Sequence, residues 1–286
     1  MPPLAPLSAQ DRALYLERLW NCLKPKPIEP GVLIRAGLDL GTSSLVLTIL
    51  DSHGEPLALA RREARVVKDG LVVDFAAARS ICESLRKELE SYLGVSISQA
   101  ALATPPGTSE RDAATHGYVC QGAGMEVSAM FDEPQAANHL IGLSDGAIAD
   151  LGGGTTGAAL FKDSQTILSF DEPTGGHHLS LVIAGRFKIA LEQAENIKLD
   201  PKRSREVASI VAPVLSKMGT ILKRGFKNLP IPILWLVGGS SAAPGATQII
   251  SQETGLLVES LTRPELVTPA GIALGCPPFE AKALEK

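Results

Sequence analysis

The sequence predicts an α/β protein built from two similar lobes. Apolar strands alternate with amphipathic helical stripes along most of its 286 residues. A strand–Asp-Leu-Gly–strand unit occurs twice, with its aspartates, Asp39 and Asp150, 111 residues apart. The chain holds 27 Gly and 20 Pro, as many tight turns require.

Size and composition bound the possibilities. The length allows one large domain or two lobes of ordinary size. A content of 45% hydrophobic and 20% charged residues suffices for a substantial core. The net charge of −4 argues against a dedicated nucleic-acid or membrane-surface binder. The longest apolar runs, such as 233–237, fall far short of the ~20 residues of a membrane span. No export signal is visible. Cys22, Cys82, Cys120 and Cys276 are scattered and form no C-x-x-C pair, which suits a reducing cytosol.

Ser8 can cap a first helix, with Asp11 three residues on. Leu16, Leu19, Trp20 and Leu23 then fall at i, i+3, i+4 and i+7, an apolar stripe. The stretch Lys24-Pro25-Lys26-Pro27-Ile28-Glu29-Pro30 cannot continue a helix. Residues 1–30 therefore read as an N-terminal helix and Pro-rich linker. Periodicity leaves open whether this helix packs on the body or docks a partner.

Residues 31–143 make the expected first lobe. Strands at 33–40 and 45–50 surround a Gly-Thr-Ser-Ser turn, and 56–67 adds another. Ile81, Leu85, Leu89 and Leu93 line a helix over 75–93. A strand over 99–103, a helix over 111–122, a strand over 127–130 and a helix over 133–143 follow. Residues 144–286, the second lobe, open in the same way, with strands at 147–150 and 158–161 around Gly-Gly-Gly-Thr-Thr. Helices are expected over 177–195 and 202–227, the latter as one or two. A strand over 233–237 precedes Gly238-Gly239-Ser240-Ser241, and a last helix starts at Pro269. Trp235 reads as core. His177 and His178 are adjacent, so they point different ways and read as helix-start residues rather than metal ligands.

The duplicated turn carries the chemistry. Gly-rich backbone can approach phosphate oxygens because no Cβ blocks the way. Thr42, Ser43, Thr155 and Thr156 can add hydroxyl donors. An aspartate on each turn can hold the water shell of Mg²⁺. Two such hairpins facing each other would clamp a nucleotide's phosphates from both sides. A single Asp-Leu-Gly turn is an ordinary hairpin; the pair, half the body apart, favours phosphate binding.

From about residue 32 to residue 275 the chain resembles the actin/sugar-kinase/DnaK superfamily. Asp39-Leu40-Gly41-Thr42 resembles its first phosphate loop, and Asp150-Leu151-Gly152-Gly153-Gly154-Thr155 its second. Glu133-Pro134-Gln135-Ala136-Ala137 is similar to the hinge stretch of DnaK-type chaperones, and Thr268-Pro269-Ala270-Gly271 to the second hinge helix. Gly238-Gly239-Ser240-Ser241 resembles the adenosine loop. Glu195-Asn196-Ile197-Lys198 is similar to the helix flanking adenine. Within the superfamily the chain is most similar to the EutJ family, DnaK-like proteins of ethanolamine-utilisation loci. That likeness rests on residues 67–74, 103–108 and 171–177, and on the lack of a C-terminal peptide-binding domain.

The resemblance implies an actin/DnaK-type ATPase fold, ribonuclease H-like, with a mixed sheet flanked by helices in each lobe. It implies ATP or ADP with Mg²⁺ as ligands. Asp39 and Asp150 would order the Mg²⁺ waters, and Glu133 the attacking water. Gly41, Thr42 and Ser43 would contact the nucleotide from the first loop. Gly152, Gly153, Gly154 and Thr155 would do so from the second, and Gly175 and Gly176 beside it. Glu195 and Lys198 would flank adenine and ribose, and Gly238, Gly239 and Ser240 the adenosine. Plainer roles exist: Glu133 complements a helix dipole, and Glu195–Lys198 is a helix-surface pair. Only residues 60–74 stand where DnaK-type chaperones insert a subdomain bearing a catalytic lysine. Lys68 is the sole lysine there, so slow hydrolysis is expected.

The implied role is a cytoplasmic, chaperone-like accessory of a bacterial microcompartment pathway. It would act through its ATP and ADP states on a protein partner, a microcompartment enzyme or shell protein. No nucleic acid and no membrane are expected as partners. An actin-like assembly or scaffold protein remains an alternative, and a small-molecule kinase a third.

Overall fold

The computed structural model describes residues 8–23, 25–227 and 229–284. They group into two compact units. Unit 1 holds the described residues up to Gly142 together with those from Leu266 on, and unit 2 is Leu143–Glu265.

Unit 1 opens with α1 (Ala9–Asn21), where Ser8 Oγ accepts from Asp11 N at 3.2 Å. Next comes an antiparallel meander of β1 (Leu33–Leu40), β2 (Ser44–Asp51) and β3 (Pro56–Glu63). Helix α1 lies against β3, buries Tyr15, Leu16 and Leu19, and donates the Tyr15 hydroxyl to Gly54 O at 2.8 Å. It is thus packed on the body, and Leu23 of the expected stripe falls beyond its end. The expected strand through residue 67 stops at Glu63. Beyond it, β4 (Val67–Lys68) and β5 (Leu71–Val72) form a short hairpin. Asp69 and Gly70, both at positive φ, turn the chain back there.

Helix α2 (Phe75–Leu93) starts where Asp74 accepts from Ala77 N at 3.0 Å and stops at Gly94, φ 76°. It is followed by β6 (Gln99–Thr104), α3 (Glu110–Gly122), β7 (Glu126–Asp132) and α4 (Glu133–Ile141). Strands β6 and β7 run parallel to β1, giving the order β3-β2-β1-β6-β7. Ala100 and Leu102 join the core under α2 and α3, while Ala101 and Ala103 join Ala136 of α4. A strand covered on both faces reads as a continuous apolar run, as this one does.

His116 of α3 is 1% exposed, and its Nδ1 donates to Asp112 O at 3.0 Å. Burial lowers its pKa below 6.5. The folded chain therefore needs this ring neutral. Its contribution is fully present above pH ~6.5 and falls as pH drops below that value, because the unfolded chain takes up the proton first. The melting temperature should fall between pH 7.5 and pH 5.5, and His116→Gln should flatten part of that slope. A slope unchanged by the substitution would exclude this cause.

Unit 2 repeats the plan. Strands β8 (Gly146–Leu151), β9 (Thr156–Lys162) and β10 (Gln165–Glu172) form a meander. Then come α5 (Gly176–Phe187), α6 (Leu191–Leu199), α7 (Ser204–Gly225), β11 (Leu234–Val237), α8 (Ala246–Thr254) and β12 (Val258–Ser260). The order β10-β9-β8-β11-β12 has the same sequence of antiparallel and parallel pairs as unit 1. The helix expected over 177–195 is two helices, because Lys188 closes α5 at φ 56°. Strand β10, helix α8 and strand β12 have no counterpart in the sequence expectation.

The last stretch returns to unit 1, whereas the expected second lobe ran to residue 286. Helix α9 (Val267–Gly275) packs on α4 and β1, and β13 (Phe279–Glu280) pairs with Leu33 and Ile34. A Cβ on Gly271 would overlap Ala136 O, so α4 and α9 touch backbone to backbone. Arg35 Nη1 donates to Leu274 O at 3.0 Å and Cys276 O at 2.6 Å, which holds the end of α9. Among the described residues no helix is long and apolar enough to cross a membrane.

Candidate functional site

In unit 2 the parallel strands β8 and β11 pair with Val237 opposite Asp150. Gly152 and Gly238 therefore leave the sheet side by side at the carboxyl ends of neighbouring strands. Open α/β sheets place their ligands at such ends. Gly152 N donates to Thr155 O at 3.0 Å and closes a tight turn over Gly152, Gly153, Gly154 and Thr155. The N-terminus of α5 sits on that turn: Gly176 N donates to Gly152 O at 2.9 Å and His177 N to Gly153 O at 2.8 Å. Ser240 Oγ donates to the same Gly152 carbonyl at 2.8 Å.

These contacts explain the glycines. A Cβ on Gly175 would lie 2.5 Å from Gly154 C and 2.7 Å from Gly153 O. Gly238 has φ 82°, and a Cβ there would overlap Asp150 Oδ1 and stand 2.7 Å from Leu151 O. Asp150 itself is 6% exposed. Three segments distant in sequence thus meet: Asp150 to Thr155, Gly175 with Gly176, and Gly238 to Ser240.

Glu195 and Lys198 join this cluster from α6. Their ion pair is 2.7 Å long, with Lys198 only 14% exposed, so it is more than a solvated surface pair. Lys198 Nζ also donates to Gly176 O at 3.3 Å and Ser180 Oγ at 3.0 Å, and Ser180 donates to Glu195 Oε2. Ser180 was missed in the sequence. Its signal is position: it lies four residues after Gly176 and so on the same face of α5. Thr174 is also new, its carbonyl accepting from Thr156 Oγ1 at 2.6 Å and pinning the approach to Gly175. His178 acts as a helix-start residue, its Nδ1 accepting from Gly175 N at 3.3 Å.

The remaining candidates belong to unit 1. Register pairs Leu38 with Leu102 and Thr104 with Asp132, so Asp39 and Glu133 stand at the same end of that sheet. Asp39, Gly41 and Thr42 are half-buried and Ser43 is exposed. Ser43 O accepts from Ala64 N at 3.3 Å. Burial pushes the Asp132 carboxyl upward. Glu133 is the first residue of α4, with Pro134 behind it, where its charge complements the helix dipole. Lys68 is exposed on β4.

The unit 2 cluster suits a polyphosphate. Among the described residues no hydrogen bond uses the N–H of Gly153 or Gly154. Those donors sit beside the positive end of α5, an arrangement that favours phosphate oxygens. Among the described residues no group of three or more His, Cys, Asp or Glu forms a metal cage. Mg²⁺ is commonly held by one or two carboxylates plus phosphate oxygens and water, and Asp150 offers such a carboxylate.

No protein-family model matches the chain. It is 40% identical over 238 residues to the ethanolamine utilization protein EutJ of Escherichia coli (strain K12), covering 83% of this chain and 84% of that protein. The crystal structure of ethanolamine utilization protein EutJ from Carboxydothermus hydrogenoformans matches with a TM-score of 0.86 at 43% identity, over 93% of this chain and 98% of that one. MreB5 of Spiroplasma citri bound to AMPPNP matches with a TM-score of 0.67 at 17% identity, over 83% and 94%, a likeness of fold alone. With the actin-like ATPase fold and this identity over most of its length, the chain belongs to the EutJ family of ethanolamine utilisation proteins.

Proposed function

We propose that this chain binds ATP with Mg²⁺ through the glycine cluster of unit 2 and uses its ATP and ADP states to act on a protein partner in ethanolamine utilisation. The observation that carries the reading is the meeting of three glycine segments around Asp150 at the ends of β8 and β11. Bound ATP would supply a triphosphate whose charge differs from that of ADP, enough to bias a protein between two states. MreB5, of the same fold, is bound to AMPPNP, which supports the choice of ligand.

The residues divide the work. The Gly153 and Gly154 N–H groups and the Thr155 hydroxyl bind phosphate oxygens. Asp150 would orient the waters of a bound Mg²⁺. Glu195 and Lys198, fixed by Ser180, border the nucleoside. Hydrolysis is slow, since only residues 60–74 stand where DnaK-type chaperones insert a lysine-bearing subdomain, and phosphoryl transfer depends on charge neutralisation. The partner is a microcompartment enzyme or shell protein, and the action on it is chaperone-like.

Calorimetric titration with ATP, with and without Mg²⁺, tests the binding. The wild type should bind, and Mg²⁺ should tighten it. Asp150→Asn, which keeps the shape, should lose at least ~10-fold in affinity and most of the Mg²⁺ effect. No heat from the wild type, or an unaltered Asp150→Asn, would end the proposal. For the cycle, ATP-loaded and ADP-loaded chains serve as bait for purified pathway enzymes and shell proteins. Equal capture in both states would remove the cycling role.

A further inference from the structure

Arg263 stands in the left-handed region, at φ 55°. Any residue with a Cβ is disfavoured there, and a following proline, here Pro264, favours extended backbone instead. Among the described residues Arg263 alone combines positive φ with a proline behind it. Strain of this kind persists where the surroundings hold it, and it collects at ligand sites.

What holds it is the glycine cluster. Gly238 N donates to Pro264 O at 2.9 Å, which ties this loop to the turn that abuts Asp150. The nearest atom to a Cβ on Gly239 would be Glu265 Cβ, at 3.8 Å, an ordinary contact distance, so this loop borders Gly239. Arg263 Nη1 lies 3.9 Å from Glu265 Oε1, and both side chains are 29% exposed. The guanidinium therefore belongs to the loop that borders Gly239.

Strand order then says which part of a ligand reaches it. Strand β12, which leads into Arg263, is two positions from β8. At about 4.8 Å per strand that is roughly 10 Å from the Gly152–Thr155 turn. A nucleotide with its phosphates on that turn would lay its ribose over Gly238 and Gly239, which would bring its base to the β12 loop. We propose that Arg263 grips the nucleotide base, its planar guanidinium lying against the purine face. This rests on the nucleotide reading above and adds the residue that tells a nucleoside triphosphate from a bare polyphosphate.

The test titrates the full chain with two ligands, ATP and inorganic tripolyphosphate, each with Mg²⁺. Arg263→Gly removes the guanidinium and the strain together. It should weaken ATP about tenfold, leave tripolyphosphate within about twofold, and not lower the melting temperature. Arg263→Lys keeps the charge without the plane and should also weaken ATP. The inference is overturned if Arg263→Gly binds ATP like the wild type, if both ligands weaken equally, or if Arg263→Lys binds ATP in full. A wild type that binds neither ligand overturns the nucleotide reading too, so the two failures are distinguishable.

Discussion

Gly238→Ala is expected to destabilise the chain by about 2–5 kcal/mol, from a left-handed penalty of roughly 1–2 and an overpacking penalty of roughly 1–3. Where the native backbone suits alanine, this substitution stabilises slightly, by about 0.4–1 kcal/mol, because it stiffens the unfolded chain. Here the sign reverses. Gly238 has φ 82°, and the added methyl would overlap Asp150 Oδ1 and press on Leu151 O. Both neighbours belong to strand β8, which cannot move aside without breaking its pairing with β9 and β11. The same push displaces the carboxylate proposed for Mg²⁺, so ATP affinity should fall at least ~10-fold. Gly239→Ala is the control: its Cβ meets nothing closer than 3.8 Å. Its stability should change by no more than about 0.5 kcal/mol. Urea midpoints with unchanged slopes would report both. Equal midpoints for the two variants would mean that the Gly238 turn is not as tight as described.

Arg86→Leu is expected to cost about 3–5 kcal/mol, the range for breaking a buried ion pair on one side. Arg86 Nη1 meets Glu90 Oε1 at 2.8 Å and Oε2 at 2.9 Å, with side chains 19% and 9% exposed. Arg86 Nε also donates to Ala123 O at 2.8 Å, and Glu90 Oε1 accepts from Ile97 N at 2.8 Å. The pair therefore ties α2 to the end of α3 and to the entry of β6. Removing the guanidinium strands a carboxylate inside. Removing both charges, as in Arg86→Leu with Glu90→Leu, should recover much of the loss. It leaves the Ile97 N–H unpaired, a residual cost of about 1–3 kcal/mol. A double variant no more stable than Arg86→Leu alone would show that packing, rather than stranded charge, sets the cost.

How much of this was legible depended on whether the signal was local. Helix α2 was readable to the residue, because its cap Asp74, its apolar stripe and its stop at Gly94 all lie within it. The two hairpins were readable because the Asp-Leu-Gly turn is short and occurs twice. Strand β12 was not, since it has three residues and is defined by its neighbour β11. The break at Lys188 was hidden because lysine rarely takes positive φ and carries no turn signature. The return of α9 to unit 1 depends on contacts of Gly271 with Ala136, 135 residues away, which no local pattern encodes. In the candidate site the glycines announced themselves, whereas Ser180 and Arg263 did not. Both owe their places to tertiary partners, Lys198 for the first and the Gly238 turn for the second.

Hydrogen exchange of backbone amides, read by mass spectrometry with and without Mg²⁺ and ATP, tests the shared cradle most directly. Protection should appear together in peptides covering 152–155, 175–178 and 238–241, and should be lost in Asp150→Asn. Protection confined to one of these stretches, or found only elsewhere in the chain, would contradict a single polyphosphate seat built from all three.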